Sequence, residues 1–458
     1  MESSNQINTT VYHETLLNSF KSRIQKTEDG FRTSESVTES TQALFILHPM
    51  NKFIKLRVLP SIFLFLLSLI AVGQALTTGQ EVRYNPITTA VPFLTITPDS
   101  RHGGMGDVGA ATSPDANSQY LNPAKYAFID GNYGFSVSYT PWLRELVSDN
   151  NLAYLAGFYR IDKNQVIGSS LRYFSMGDIT LTGADRTVLG TVRPSEFAVD
   201  FSYSRKLSDK LSGGVALRFI HSDITGGIGA ENYTAGNAFA TDVSFYYIDK
   251  WGDEGAMKSI AFGVNFSNIG SKISYDQGSN KEFLPANIKL GTTFTQELND
   301  LNAISVSFDV NKLLVPTPVM VYEQNGSGVI LPNYNTNKPV ISSIFGSFTD
   351  APGGFKEEMQ EFMISTGIEY WYSKKFAIRT GYFHEALNKG NRKFFTAGVG
   401  VKMSKADIDL SYVIPTQRNN PLANTVRFTL LFNIDSFLKK KDVEPAKDEP
   451  INIEPTKN

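Results

Sequence analysis

The stretch Thr425–Ile434, "TVRFTLLFNI", puts Val426, Phe428, Leu430 and Phe432 on one side of an extended chain and Thr425, Arg427, Thr429 and Asn433 on the other. Successive side chains of a strand point to opposite faces, so this order separates an apolar face from a polar one only if the segment is a β-strand. The same period recurs upstream. In "FAVDFSY", Phe197, Val199, Phe201 and Tyr203 alternate with Ala198, Asp200 and Ser202. In "ISVSFDV", Ile304, Val306 and Phe308 alternate with Ser305, Ser307 and Asp309, and in "IDLSY", Ile408, Leu410 and Tyr412 alternate with Asp409 and Ser411.

Working outward from these runs gives about fourteen of them, near residues 131–142, 151–161, 164–174, 196–206, 210–221, 237–249, 258–268, 285–295, 302–312, 361–371, 374–384, 392–403, 405–414 and 423–434. Alternation alone also suits a soluble sandwich, whose apolar faces point inward. The connections decide between the two. Going along the chain they alternate between long segments, such as about 48 residues from Leu313, and short ones, such as Ser373–Lys374 and Ser404–Lys405. Short turns at one mouth and long loops at the other, with an even strand number and aromatic residues near strand ends, are the marks of an outer-membrane barrel. Backbone in lipid must satisfy its hydrogen bonds internally, and a closed sheet does so without an edge. The expected fold is therefore all-β: a 14-stranded antiparallel transmembrane β-barrel over residues 131–434, with both ends of the barrel in the periplasm. On that register Leu430→Arg should cost about 2–4 kcal/mol on the lipid face, with Thr429→Arg tolerated better.

Composition narrows the function. The chain has 43 Lys and Arg against 45 Asp and Glu, which leaves no basic face for nucleic acid. It has no Cys, which excludes disulfides, thiolate metal sites and a Cys nucleophile. No metal-ligand spacing appears either, and no cofactor is expected.

Before the barrel, Met50–Ala75 reads "MNKFIKLRVLPSIFLFLLSLIAVGQA": a basic start, an apolar run from Val58 to Val72 and a small-residue cleavage site. This is the order of a secretory signal peptide, with a mature start near Leu76, and the run is too short and too Pro-interrupted for a spanning helix. Residues 1–49, polar and aperiodic, are expected to be an upstream extension without fold. The tail 435–458, charged and Pro-containing, is expected to be a disordered periplasmic extension.

The remaining segment, 76–130, is Gly-rich and includes "RHGGMGDVGAATSPDANSQYLNPA" from Arg101 to Ala124. Gly104, Gly106 and Gly109 have the spacing of a dinucleotide fingerprint, but no apolar strand leads in, and Pro114 and Pro123 forbid a long helix leading out. The glycines Gly103, Gly104, Gly106 and Gly109 are instead read as allowing close approach in an N-terminal plug, or hatch, that starts in the periplasm and sits in the lumen. After the signal the histidines are His102, His221 and His384. His221 has Ser222 and Asp223 beside it, but neighbours on a strand face opposite ways and make poor triads. No enzymatic activity is expected. Lumen-side charges Arg172, Arg218, Arg379 and Arg427, with Asp200, Asp242, Asp309 and Asp409, suit a salt-bridged interior holding the plug; a polar pathway is the alternative.

The longest connection divides in two. Its first part, "VPTPVMVYEQNGSGVILPNYNTNKP", should be irregular. In its second, Ile341, Ile344, Phe345 and Phe348 recur at spacings of three and four, which suits a short amphipathic helix ending before Asp350-Ala351-Pro352, with Phe355 beyond it. An apolar stripe outside the membrane must be covered, either by the barrel mouth or by a partner.

The plug stretch through Phe128, the loop "DAPGGFKEEMQEF" and the end sequence "IEYWYSKKFAIRTGYFHE…GNRKFFTAGVGVKM…NTVRFTLLF" resemble the PorV (LptO) family of the type IX secretion system, over about residues 77–434. The resemblance implies a FadL-like fourteen-stranded barrel whose hatch carries an Asn-Pro-Ala element, here Asn122, Pro123 and Ala124. It further implies an outer-membrane, non-enzymatic role: binding the C-terminal domain of cargo that leaves a translocon barrel (SprA/Sov-like). The cargo then passes to a surface complex whose sortase-like (PorU-like) peptidase attaches it to lipopolysaccharide. A FadL-like channel for hydrophobic small molecules is the alternative. The tail after Asp435 has no counterpart in the resemblance.

Overall fold

The computed structural model describes residues 84–434 apart from 145–146, 148, 183–185, 227–233, 323–327, 331–336 and 418–419. The expected upstream extension 1–49, signal peptide 50–75 and tail 435–458 lie outside the described residues.

In chain order the strands are β1 (Tyr133–Pro141), β2 (Asn151–Arg160), β3 (Gln165–Ser175), β4 (Ile179–Thr182), β5 (Val188–Val192), β6 (Ser195–Lys206), β7 (Leu211–Asp223), β8 (Gly236–Trp251) and β9 (Lys258–Gly270). They continue with β10 (Asn287–Glu297), β11 (Ala303–Leu313), β12 (Met320–Tyr322), β13 (Gly328–Ile330), β14 (Met363–Tyr372), β15 (Phe376–His384), β16 (Lys393–Lys402), β17 (Ala406–Pro415) and β18 (Val426–Asn433). Fourteen of these form one closed antiparallel barrel. The first and last strands complete it, with Phe135 opposite Phe432 and Val137 opposite Leu430. The alternating runs of the sequence are these strands, to within about three residues at each end.

The expected pleat is present. On paired strands β6 and β7, Phe201 is 64% and Leu217 69% exposed, whereas Asp200, Ser202, Ala216 and Arg218 are buried. The outward face is the one that lipid covers, so its apolar side chains are buried in the membrane instead of in the protein. The inward face is small or charged because it meets another part of the chain and not an oil-like core.

Two connections hold more structure than their sequences suggest. The β3–β6 connection contains the β4–β5 hairpin, and the first half of the β11–β14 connection, expected to be irregular, contains the β12–β13 hairpin. Their strands are three to five residues long, too short for the alternation to stand out from its surroundings. In the second half of the β11–β14 connection the described helices are Val340–Gly346 and Phe355–Gln360.

Residues 84–130 fill the lumen. Their elements are a 3-10 turn at Pro92–Thr95, a helical turn α1 (Ser100–Gly103), a second, α2 (Ser118–Leu121), and a 3-10 helix at Pro123–Phe128. The two loop helices are accordingly α3 (Val340–Gly346) and α4 (Phe355–Gln360). Val91, Phe93 and Leu94 pack with Leu152, Ile220, Ala238 and Ile273, at the long-loop end of the barrel. Tyr126 and Ile129 pack with Val166 at the short-turn end. The segment therefore runs from the long-loop mouth down to the short turns, where β1 begins. The expected start of the segment, residues 76–83, lies outside the described residues; its first described residues lie at the long-loop mouth, because Val91, Phe93 and Leu94 find their apolar partners there.

Candidate functional site: the plug against the wall, and the loop face above it

The plug has little regular structure, so its backbone groups are satisfied by the barrel. Asp309 on β11 accepts the N–H groups of Gly109 (2.7 Å) and Ala110 (3.0 Å). Thr396 on β16 accepts from Gly106 N–H at 2.8 Å, and Thr429 on β18 from Ser100 N–H at 2.8 Å. Arg427 donates to the Gly103 carbonyl at 3.2 Å and lies 3.4 Å from Asp107. A buried polar group needs such a partner, and each missing one costs about 1–3 kcal/mol.

The glycines sit where backbones meet. Gly106 has φ +69°, and a Cβ there would lie 2.6 Å from the Tyr382 nitrogen and 2.7 Å from the Thr366 oxygen. A Cβ on Gly104 would meet Gly398 Cα at 3.1 Å, and one on Gly103 would meet the Arg427 side chain. Gly109 faces Leu121, within the plug itself. The wall answers with its own glycines: a Cβ on Gly367 of β14 would lie 2.6 Å from the Met105 carbonyl oxygen.

Asn122, Pro123 and Ala124 form the lower anchor. Asn122 accepts from Ala124 N–H at 3.1 Å and donates to the carbonyls of Ala110 (2.9 Å) and Phe245 (3.0 Å). The Pro123 carbonyl accepts from Ser204, and Ala124 uses both backbone groups, bonding Ser244 at 3.0 Å and Ser212 at 2.7 Å. Three strands thus converge on one tripeptide.

All the lumen-side charges singled out in the sequence are buried. Arg218 bridges Asp200 (2.6 Å) and Asp242 (3.0 Å), where β9 bulges so that Asp242 faces both Ser267 and Asn268. Arg379 bridges Glu369 (2.7 Å) and Asp409 (2.6 Å). Arg172 donates to the Leu94 carbonyl at 2.9 Å and stacks on Tyr120. The sequence reading missed the residue that joins wall to plug in the second cluster. Arg101 of α1 donates to Glu369 at 2.9 and 3.0 Å and to Asp115 at 2.8 Å. Glu369 carried a usable signal, since it alternates with Ile368 and Tyr370; Arg101, in an aperiodic segment, carried none.

The histidines are absorbed by the structure. His102 is buried between Asp99 (2.8 Å) and Thr112 (3.0 Å). His221 bonds Asn237 at 2.8 Å, while Ser222, on the other face of the strand, bonds Glu196 at 2.6 Å. His384 meets the Tyr382 hydroxyl at 3.3 Å.

At the long-loop mouth, Ile341 is 69%, Phe345 75% and Phe355 80% exposed, with Phe348 and Met359 also on the surface. Ile344 instead packs toward Phe283, Leu314 and Val315. The expected stripe is thus divided: Ile344 seats α3, and its neighbours face outward. Ion pairs fix α4 from below. Lys312 on β11 pairs with Glu361 and lies 3.5 Å from Glu358, and Lys389 pairs with Glu357 (2.6 Å) and Glu361 (3.0 Å).

A family model described as type IX secretion system protein PorV matches residues 79–320. The chain belongs to the PorV family. No curated protein matches it. Among solved structures, the toluene transporter TodX of P. putida is 11% identical, with a TM-score of 0.42 over 74% of this chain and 98% of that one. A FadL homologue of Pseudomonas aeruginosa is 12% identical, with a TM-score of 0.40 over 76% and 99%. LpxR from Salmonella typhimurium is 7% identical, with a TM-score of 0.30 over 65% and 99%. As a PorV-family barrel with an apolar outer wall, the protein is an outer-membrane β-barrel of the type IX secretion system, and in bacterial outer-membrane barrels the long loops lie outside.

Proposed function

We propose that this PorV-family barrel holds the C-terminal domain of secreted cargo as it leaves the translocon barrel. It then passes the cargo to a surface attachment complex containing a sortase-like peptidase, itself performing no chemistry. Export is by a cleaved signal peptide, with the mature chain starting at or near Leu76.

The observation that carries this reading is the loop face: Ile341, Phe345 and Phe355 are apolar and exposed, the first two on α3, which Ile344 seats on an apolar cluster, and the third on α4, which buried ion pairs pin. Aromatic anchors on a rigid support are features that dominate protein interfaces, because little loop freedom is left to lose on binding. Transport of a hydrophobic small molecule would need an apolar path through the lumen. Here the lumen is filled by a plug tied through Arg101, Asp309 and Arg427.

The test is the double variant Phe345→Asp, Phe355→Asp in the native host. It should reach the outer membrane as a folded, heat-modifiable barrel, yet co-purify at least tenfold less translocon and cargo, with secreted proteins accumulating unprocessed. A folded double variant that captures both partners and secretes at the parental level would overturn the reading.

A further inference from the structure

The upper end of the plug is held by the same loop that carries the exposed aromatic residues. Glu357 of α4 accepts from Asn85 Nδ2 at 2.8 Å and from Lys389 Nζ at 2.6 Å on one oxygen, and from Gly353 N–H at 2.7 Å on the other. Asn85 N–H donates to the Asn388 carbonyl at 2.8 Å, and Asn388 Nδ2 donates to Gln360 of α4, also at 2.8 Å. Five residues on, Ala90 N–H donates to the Phe283 carbonyl at 3.0 Å, in the β9–β10 loop. Three outer connections therefore grip residues 85–90, and Glu357 touches both the plug segment and the β15–β16 connection.

We infer that this mouth is a latch, with Glu357 as its catch: the plug is secured, and released, from the cell surface. The plug's inner contacts resist such release unequally. From Ala90 inward the plug is held by a large apolar cluster, by Arg172 on the Phe93 and Leu94 carbonyls and, deeper, by ion pairs and carboxylate–amide bonds, whereas residues 84–89 are mostly exposed or half-buried and held by the Glu357 clamp. Local opening starts where buried contacts are few and hydrogen bonds lie near solvent, which is the segment 84–89 up to Ala90. Any ligand that displaces α4 from Asn85 shifts the upper plug toward its open state by its differential affinity for that state. The latch requires no particular partner.

The chain has no Cys, so single cysteines report unambiguously. Tyr84 is 56% exposed and Ala90 buried. With a membrane-impermeant maleimide, Tyr84→Cys should react equally in intact and permeabilised cells. Ala90→Cys should react slowly in the parent and roughly tenfold faster when combined with Glu357→Gln or Asn85→Ala, as expected for loss of a charge-assisted clamp at a locally opening site. Arg193→Gln, which removes a surface ion pair with Asp178, should leave the Ala90→Cys rate unchanged. If Glu357→Gln does not give a heat-modifiable barrel, Asn85→Ala alone decides, since it leaves the Lys389 pair in place. The latch is overturned if Tyr84→Cys reacts only after permeabilisation, or if the Ala90→Cys rate is unchanged in the folded clamp variants. Neither readout uses cargo or translocon, so the latch and the docking surface fail separately.

Discussion

Asp309 and Gly109 lie 200 positions apart in sequence, yet the Asp309 carboxylate accepts the Gly109 N–H at 2.7 Å, joining the wall of the barrel to the middle of its plug. The same carboxylate oxygen takes the Ala110 N–H, so one side chain satisfies two backbone donors in a turn with no secondary structure of its own.

Asp309→Ala should therefore loosen the plug by about 1.5–3 kcal/mol, the usual worth of hydrogen bonds to a charged group. Hydrogen exchange on the detergent-solubilised barrel should show lost protection at Gly109 and Ala110, with protection of the strands retained. Asp309→Asn should lose less. Unchanged exchange at both amides would show that the carboxylate is incidental.

The glycines of the wall should be asymmetric in their tolerance. Gly367→Ala places a methyl 2.6 Å from the Met105 carbonyl oxygen, whereas Gly213→Ala meets nothing nearer than 3.4 Å. Overpacking of the first kind costs about 1–3 kcal/mol, because the opposing atom is backbone and cannot rotate away. Thermal unfolding of the two variants should separate them, with Gly213→Ala close to the parent. Equal midpoints would mean that the plug shifts freely within the lumen.

The latch should weaken in acid. Burial pushes the Glu357 carboxyl up, but the Lys389 and Asn85 side chains and the Gly353 N–H pull it further down, and it ends below its ordinary value. A carboxyl depressed in the closed state stabilises that state above its free pKa of about 4.3 and ceases to do so as pH falls through the lower, closed value. A spin label on Tyr84→Cys, attached at neutral pH, should gain mobility as pH falls below about 4, and Glu357→Gln should be mobile throughout. Asp350, in the same loop, is raised by its burial, so Asp350→Asn is the control that isolates the Glu357 contribution to the curve. A flat trace in the parent would refute the electrostatic clamp.

The strands were legible because a bilayer imposes a two-residue period that no local accident mimics over ten positions. Arg218 and Arg379 were legible for the same reason, as charges on the inward half of that period. The lumen's contents were not. Thr429 looks like a tolerant water-facing position in "TVRFTLLFNI", yet it is 0% exposed and holds Ser100 of the plug, so an Arg there would have to expel α1. Thr429→Arg, expected to be tolerated better than Leu430→Arg, therefore carries a cost of its own, because alternation reports that a face is polar, not whether that polarity meets water or protein. The direction of the plug was hidden for a related reason: a Gly-rich segment without period carries no sign of which mouth it enters. Its upper anchor, Asn85 with Glu357, joins two residues 272 positions apart, and nothing local marks either one.

The seam between β1 and β18 adds a constraint on assembly. Ser136 of β1 bonds Asn117, Ser138 of β1 shares the Thr429 hydroxyl with Ser100, and Arg427 of β18 reaches Gly103. The two strands synthesised furthest apart thus zip together over a template made by the segment translated just before the first of them. Plug and seam are thus one contact surface, and a change in the plug at Ser100, Gly103 or Asn117 is also a change in the strand pair that closes the barrel.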